Sequence, residues 1–182
     1  STQSRSSAAS DVYKRQQTAQ GSYDLTGATQ GQLGWSGVGQ YNDLVNPCAM
    51  MVWMGAVANG GKAAVPRLIQ EVDGGLPQLS LPFGKETGTL IQSDTARTLA
   101  DMMAQNVVQT YGSGRFPNMD ICAKSGTAEV GGDKRPNAWF VGFLRNEDAP
   151  YAFAVVVEEG GSGAGAAGNV AAQVLNALVN GY

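Results

Sequence analysis

The sequence predicts an α+β fold: an antiparallel sheet of three C-terminal strands packed against helices. Three observations carry that expectation. Met119–Val130, Ala138–Leu144 and Tyr151–Glu158 are apolar runs of strand length and composition. Their links, Gly131-Gly132-Asp133-Lys134-Arg135-Pro136 and Arg145-Asn146-Glu147-Asp148, are too short for parallel crossovers, so the strands form a meander. Segments whose apolar residues recur at spacings of three and four lie on either side.

Taken in order, Ser1–Ser22 is rich in Ser, Gln and Ala and holds no Leu, Ile, Met, Phe or Trp. That composition predicts a disordered extension foreign to the domain, which is expected to run from residue 23 to residue 182. Glycines at 27, 31, 34, 37 and 39 predict irregular loops between Tyr23 and Tyr41. Asn46 and Pro47 then open a helix with Met50, Met51, Met54, Val57 and Ala58 on its apolar side, and Asn59-Gly60-Gly61 supplies a left-handed stop. Ala64–Val72 reads as extended, with Pro66 placing it at an edge. Ser93 is the expected cap of a second helix running to Thr110, with Leu99, Met102, Met103, Val107 and Val108 buried and Gly112 and Gly114 closing it. After the Gly-rich stretch 160–168, a last helix over Asn169–Asn180 is expected to pack Val170, Val174, Leu175, Leu178 and Val179 on a sheet face. No internal repeat is visible.

Composition narrows the chemistry. A chain of 182 residues is long enough for one core, and its 25 glycines and 15% charged residues mark it as glycine-rich and charge-poor. Low charge implies a surface that is partly covered. A net charge of −3 argues against nucleic-acid binding, which needs a clustered basic face. The count of zero histidines removes Ser-His-Asp and Cys-His catalysis and His-ligated metals, so any base is Lys, Glu, Asp or Tyr. Cys48 and Cys122 form no C-x-x-C and are expected to be unpaired, partly buried thiols. No metal site or cofactor is expected. The longest apolar stretch, Cys48–Ala58, is 11 residues, short of the roughly 18–20 that span a bilayer, and no signal-peptide core is present.

Two motifs could carry chemistry. Gly163-Ala164-Gly165-Ala166-Ala167-Gly168 satisfies G-x-G-x-x-G between a strand and a helix, but the second parallel strand and acidic residue of a dinucleotide site are missing. It reads as a small-residue connection into a closely packed helix. Lys124-Ser125-Gly126-Thr127 is the second motif. A lysine ammonium can hold an anion, hydroxyls can bind a carboxylate, and a strand glycine lets another backbone approach. Lys124 and Ser125 cannot form a dyad, because neighbouring strand side chains point to opposite faces. Trp139 and Phe140 are read as sheet anchors, the helical methionines as packing, Glu129 as a solvated strand-end carboxylate, and Glu158-Glu159 as too exposed for a metal pair. An exposed strand edge at Lys124–Thr127 would also suit a non-catalytic module that binds a peptide by strand addition.

The run Ala123-Lys124-Ser125-Gly126-Thr127-Ala128-Glu129, followed by Asn137-Ala138-Trp139-Phe140-Val141-Gly142-Phe143, resembles the third motif of the penicillin-binding transpeptidases. Gly37-Val38-Gly39-Gln40, Asn46-Pro47 and Ala58-Asn59-Gly60-Gly61 resemble the segment leading into a helix that lines the family's site, and the Tyr151–Glu159 strand with the last helix resembles the family's C-terminal end. The resemblance covers roughly Gly37 to Asn180. It implies the fold shared with serine β-lactamases and a serine D,D-transpeptidase or carboxypeptidase. Its partners would be peptidoglycan stem peptides ending in D-Ala-D-Ala, or β-lactams, at the extracytoplasmic face of a bacterial membrane. Lys124 and Thr127 would be catalytic, Thr127 through its backbone N–H in the oxyanion hole. Ser125, Gly126 and Thr127 would bind the substrate carboxylate. The sequence departs from the family in holding no S-x-x-K and no S-x-N; Ser10 precedes Lys14 by one position too many. The expectation is a C-terminal portion of the domain, inactive without its missing N-terminal half and exposing apolar surface that the half would cover.

Overall fold

The computed structural model describes residues 21–66 and 85–181. The predicted disorder of the N-terminal extension therefore lies outside the described residues as far as Gln20, as does the end of the extended segment from Arg67 onward. Ser22, assigned above to the extension, forms an antiparallel bridge with Leu44, and Ala64 forms one with Glu86.

The first element is a helix where glycine spacing predicted loops: α1, Gln30–Gly37. A reciprocal cap explains it. The Thr29 hydroxyl accepts the Gln32 N–H at 3.3 Å, and the Gln32 side chain accepts the Thr29 N–H at 2.8 Å. Two otherwise unpaired donors are satisfied, which offsets the helix cost of the internal glycines. Helix α2, Pro47–Ala58, begins as expected, with Asn46 Oδ1 accepting the Ala49 N–H at 2.8 Å and Gly60 in the left-handed region at φ +60° beyond its end.

Helix α3, Ser93–Asn106, corrects the sequence reading twice. Its N-cap is Gln92, which makes no side-chain cap bond, and Ser93 is already helical. The Ala96 N–H reaches Gln92 O at 2.9 Å, so the helix turns one residue early. After Asn106 the coil widens into a π turn, Val107–Tyr111, ended by Gly112 at φ +83°. Ala96, Ala100, Met103 and Val107 are buried, the last three in clusters with the sheet, whereas Met102 and Val108 are 61% and 65% exposed. Close approach favours alanines at the contact, and a residue next to Met103 in sequence is turned about 100° away from it.

The sheet is the predicted meander in the order β1 (Ile121–Ala128), β2 (Asn137–Leu144), β3 (Ala152–Val157), antiparallel throughout. β1 and β3 are slightly shorter than the apolar runs, and β2 begins one residue earlier than its run. Central β2 supplies the deepest side chains and separates two cores. On one face Phe140, fully buried, stacks between Phe116 and Phe153 at 5.9 and 6.1 Å and meets Tyr111 edge-on at 5.1 Å, under α4 (Gly168–Asn180). On the other, Cys122, Val141 and Phe143 pack against Met54 and Val57 of α2 and Met103 of α3. The result is three layers, helix, sheet and helix.

Helix α4 also packs through small residues. Ala171, Ala172 and Leu175 are buried, while Val170, Val174 and Leu178, predicted to face the sheet, are exposed and form a separate stripe at intervals of four. Alanines let the helix axis lie close to β2, and the larger side chains are carried around to the outer side.

Cys48 and Cys122 are both free thiols. Burial pushes the Cys122 thiol up from 9.0 to about 11. An acid whose folded pKa is raised stabilises the fold fully below its unfolded value and loses that contribution as pH climbs to the folded value. The unfolding free energy is therefore expected to fall between about pH 9 and 11 more steeply in wild type than in Cys122→Ala. Urea melts across that interval measure the difference, and parallel slopes would contradict it.

Candidate functional site

Strand β1 is an edge strand, and its edge is where the predicted residues meet. Its inner side pairs with β2 in the register Lys124 with Val141, Ser125 with Phe140, Gly126 with Trp139 and Thr127 with Ala138. Its outer side is lined with the protein's own side chains. Asn106 Nδ2 donates to Ala123 O at 3.0 Å, the Lys124 ammonium donates to Ser125 O, and Gln40 Nε2 donates to Thr127 O at 2.8 Å. The Ser125 N–H donates to the Tyr111 phenol at 2.7 Å. Backbone groups alternate in direction along an antiparallel strand, so the Thr127 N–H faces the same outer side as that of Ser125.

The side chains alternate as the sequence reading required. Lys124 stands on the face of Cys122, Trp139 and Val141. Ser125 and Thr127 stand on the opposite face, where Ser125 Oγ accepts from the Tyr111 hydroxyl at 2.9 Å and Thr127 Oγ1 accepts from the Gly163 N–H at 3.4 Å. No Lys124–Ser125 dyad forms. A serine or threonine oxygen that already accepts a hydrogen bond keeps its own proton free to donate, the polarity an anion needs.

A groove of about 390 Å³ runs beside this edge. One wall is Lys124, Ser125, Gly126 and Thr127; the facing wall is the loop Val38–Val45 with Met50 of α2; Trp139 and Val141 contribute to the lining. All four predicted residues thus meet in one cleft. Trp139, read as a sheet anchor, packs on the α2–α3 core and also lines this groove. Glu129 is exposed at its end. Among the described residues, no group of three or more Cys, Asp or Glu side chains is placed to hold a metal ion.

The G-x-G-x-x-G loop is a packing device. It forms a π turn, Gly163–Ala167, whose first N-terminal donors meet Ser162 and Thr127, and the sheet beside it has no parallel strand pair. A Cβ on Gly163 would lie 2.2 Å from Gly126 O and 2.7 Å from Trp139 O. Only glycine lets the turn rest on the strand that carries the motif.

Three contributors escaped the sequence reading. Gln40 was noted only as part of a resembling segment. Tyr111 and Asn106 lie at a helix end where nothing in the local pattern announces a contact with a strand residue 14 or 17 positions later.

An α+β layer structure with a Lys-Ser-Gly-Thr edge strand beside a cleft has the fold of the penicillin-binding transpeptidase domains. The chain belongs to the penicillin-binding protein transpeptidase domain family, whose description it matches over residues 9–180. It is 32% identical over 144 residues to the peptidoglycan D,D-transpeptidase PbpA of Mycolicibacterium smegmatis, covering 77% of this chain and 29% of that protein. It is 31% identical over 153 residues to PbpA of Mycobacterium tuberculosis, covering 81% and 31%. Among solved structures, the imipenem acyl-enzyme complex of M. tuberculosis penicillin-binding protein A superposes with a TM-score of 0.77 at 27% identity, covering 90% of this chain and 37% of that one. Pseudomonas aeruginosa PBP2 in complex with WCK 5153 gives 0.65 at 28% identity, covering 82% and 32%. The chain spans under a third of the length of the curated relatives it matches.

The contact of Gly163 with β1 yields a prediction. Gly163→Ala forces the turn off Gly126 and is expected to destabilise the protein by about 1–3 kcal/mol, read from urea unfolding. An unchanged midpoint would mean that the turn can shift freely.

Proposed function

We propose that this chain is the C-terminal portion of a D,D-transpeptidase domain and supplies the wall that grips the free carboxylate of a peptidoglycan stem peptide. The observation that supports it most directly is the outward edge of Lys124–Thr127 along a cleft. Lys124 provides a positive charge exposed to that cleft. The hydroxyls of Ser125 and Thr127, each accepting from a protein donor, have protons to give to a carboxylate. Gly126 keeps the strand free of a side chain between them. The Thr127 N–H donates to the oxyanion that forms when a serine hydroxyl attacks the D-Ala carbonyl. The D-Ala–D-Ala amide bond then breaks, the terminal D-Ala leaves as the free amine, and an acyl-enzyme ester remains for an acceptor amine to take.

The attacking serine and its lysine have no counterpart in this sequence, which holds no S-x-x-K. In this reading they come from the N-terminal half of the domain, and the chain alone does not turn over. The exposed row Val170, Val174, Leu178 on α4, with Trp53 and Leu44 elsewhere, agrees with a portion that packs against further structure. Among the described residues no helix is long and apolar enough to cross a membrane. The parent protein would work at the extracytoplasmic face, where stem peptides are cross-linked.

The rival reading, a peptide-binding module that adds a strand to β1, is disfavoured by the same edge. Four of its outward groups are already bonded to Asn106, Tyr111, Lys124 and Gln40. An added strand would have to displace all of them.

Labelling with a fluorescent penicillin tests the proposal. The full-length protein is expected to be acylated and this chain alone is not, while Lys124→Ala in the full-length protein slows labelling by about a hundredfold or more, the scale of losing a charged group that acts in the transition state. Labelling at the wild-type rate in Lys124→Ala would remove this wall from the reaction.

A further inference from the structure

We infer that Tyr111 is a positioning residue that makes Ser125 a hydrogen-bond donor toward the cleft and so sets the preference for a free carboxylate. The inference rests on the reading of Ser125 given above. Its basis is one phenol making two bonds to one residue. The Tyr111 oxygen accepts the Ser125 N–H at 2.7 Å, and its proton goes to Ser125 Oγ at 2.9 Å.

A phenol has one proton to give. Once the Tyr111 proton is committed to Ser125 Oγ, an acceptor position of that serine is filled and its own proton must point elsewhere. Ser125 lines the cleft, and a carboxylate there needs donors. A serine without this partner could turn its proton back to a nearby acceptor and present lone pairs instead, which repel an anion. Chained hydrogen bonds also polarise one another, so the donated proton is strengthened as a donor.

The fold fixes the phenol firmly enough for this task. Tyr111 closes the π turn Val107–Tyr111, and such insertions recur at functional sites. Its ring meets Phe140 edge-on at 5.1 Å, in the buried core of that sheet face. The hydroxyl therefore reaches β1 from a packed ring, with little freedom to swing away. Gly112 at φ +83° ends the turn immediately after it.

The test uses the full-length protein and two probes, an acetylated peptide ending in D-Ala-D-Ala and the same peptide as its C-terminal amide. Tyr111→Phe keeps the ring and removes only the hydroxyl. It is expected to raise KM for the acid about tenfold, the scale of one charge-assisted hydrogen bond, while kcat stays within about twofold. The amide, which carries no charge for Ser125 to meet, should keep its kcat/KM within about twofold. Ser125→Ala should give the same pattern, and the double variant should be no worse than Ser125→Ala alone. A Ser125→Ala effect on the acid without a Tyr111→Phe effect overturns the role of Tyr111 and leaves the carboxylate reading standing. Equal losses on acid and amide in Tyr111→Phe make Tyr111 a fold residue and overturn the inference. An unchanged acid-to-amide preference in Ser125→Ala overturns the carboxylate reading itself.

Discussion

The constraint on which the rest depends is that an edge strand must keep most of its outward backbone groups from pairing with another chain. An open edge invites pairing with other chains, and a buried polar group without a partner costs more than a typical hydrogen bond gains. β1 meets the constraint with side chains rather than with a fourth strand. Asn106 and Tyr111 come from the end of α3, Gln40 from the loop after α1, and Lys124 from the strand itself. Each of these elements is thereby tied to one strand, and the cleft is the space left between them. The same bonds that blunt the edge against aggregation also build the candidate site.

Glycine and alanine make that arrangement geometrically possible. The turn before α4 rests on the Gly126 and Trp139 carbonyl oxygens at a distance no Cβ could survive. Helices α3 and α4 meet the sheet through Ala100, Ala171 and Ala172. Close layers bring Tyr111 and Gly163 within hydrogen-bond reach of Ser125 and Thr127 on the edge strand. Large core residues at those positions would have filled the core equally well. They would also have held the donors too far from the hydroxyls.

Most of the sheet was legible because strand signals are local. Apolar runs broken by Gly131-Gly132 and by Asn146-Glu147-Asp148 leave few alternatives to a meander. The opening of α2 was legible for the same reason, since Asn46 and Pro47 carry their meaning in two residues. Helix faces were legible only in part: Met54, Val57, Met103, Val107 and Leu175 are buried as read, whereas Met102 and Val108 are exposed. Val170, Val174 and Leu178 have the spacing of a buried stripe, yet the alanines beside them face the sheet, because layer distance is decided by the partner and not by the helix. Helix α1 was hidden by its glycines, whose propensity cost a reciprocal cap at Thr29 and Gln32 outweighed. In the site, Lys124–Thr127 could be read as a motif through the segments around it, Asn137–Phe143 above all, and not from its own four residues. Tyr111 and Gln40 could not, because their meaning is the strand they touch.

The division of labour this implies is asymmetric. In the proposed function a charged lysine, two hydroxyls and an outward N–H would recognise an anion and a developing oxyanion, and neither task requires a residue to change its covalent state. Such groups can be fixed in a rigid sheet, where pre-set donors need no reorganisation when charge appears. A nucleophile and its base must move protons and form bonds, so they belong on an element that can approach the sheet from outside. The residues proposed for the first task, with the side chains that hold them, lie along the edge of β1. The groove beside Lys124–Thr127 is where those pre-set donors form one wall, opposite the loop Val38–Val45.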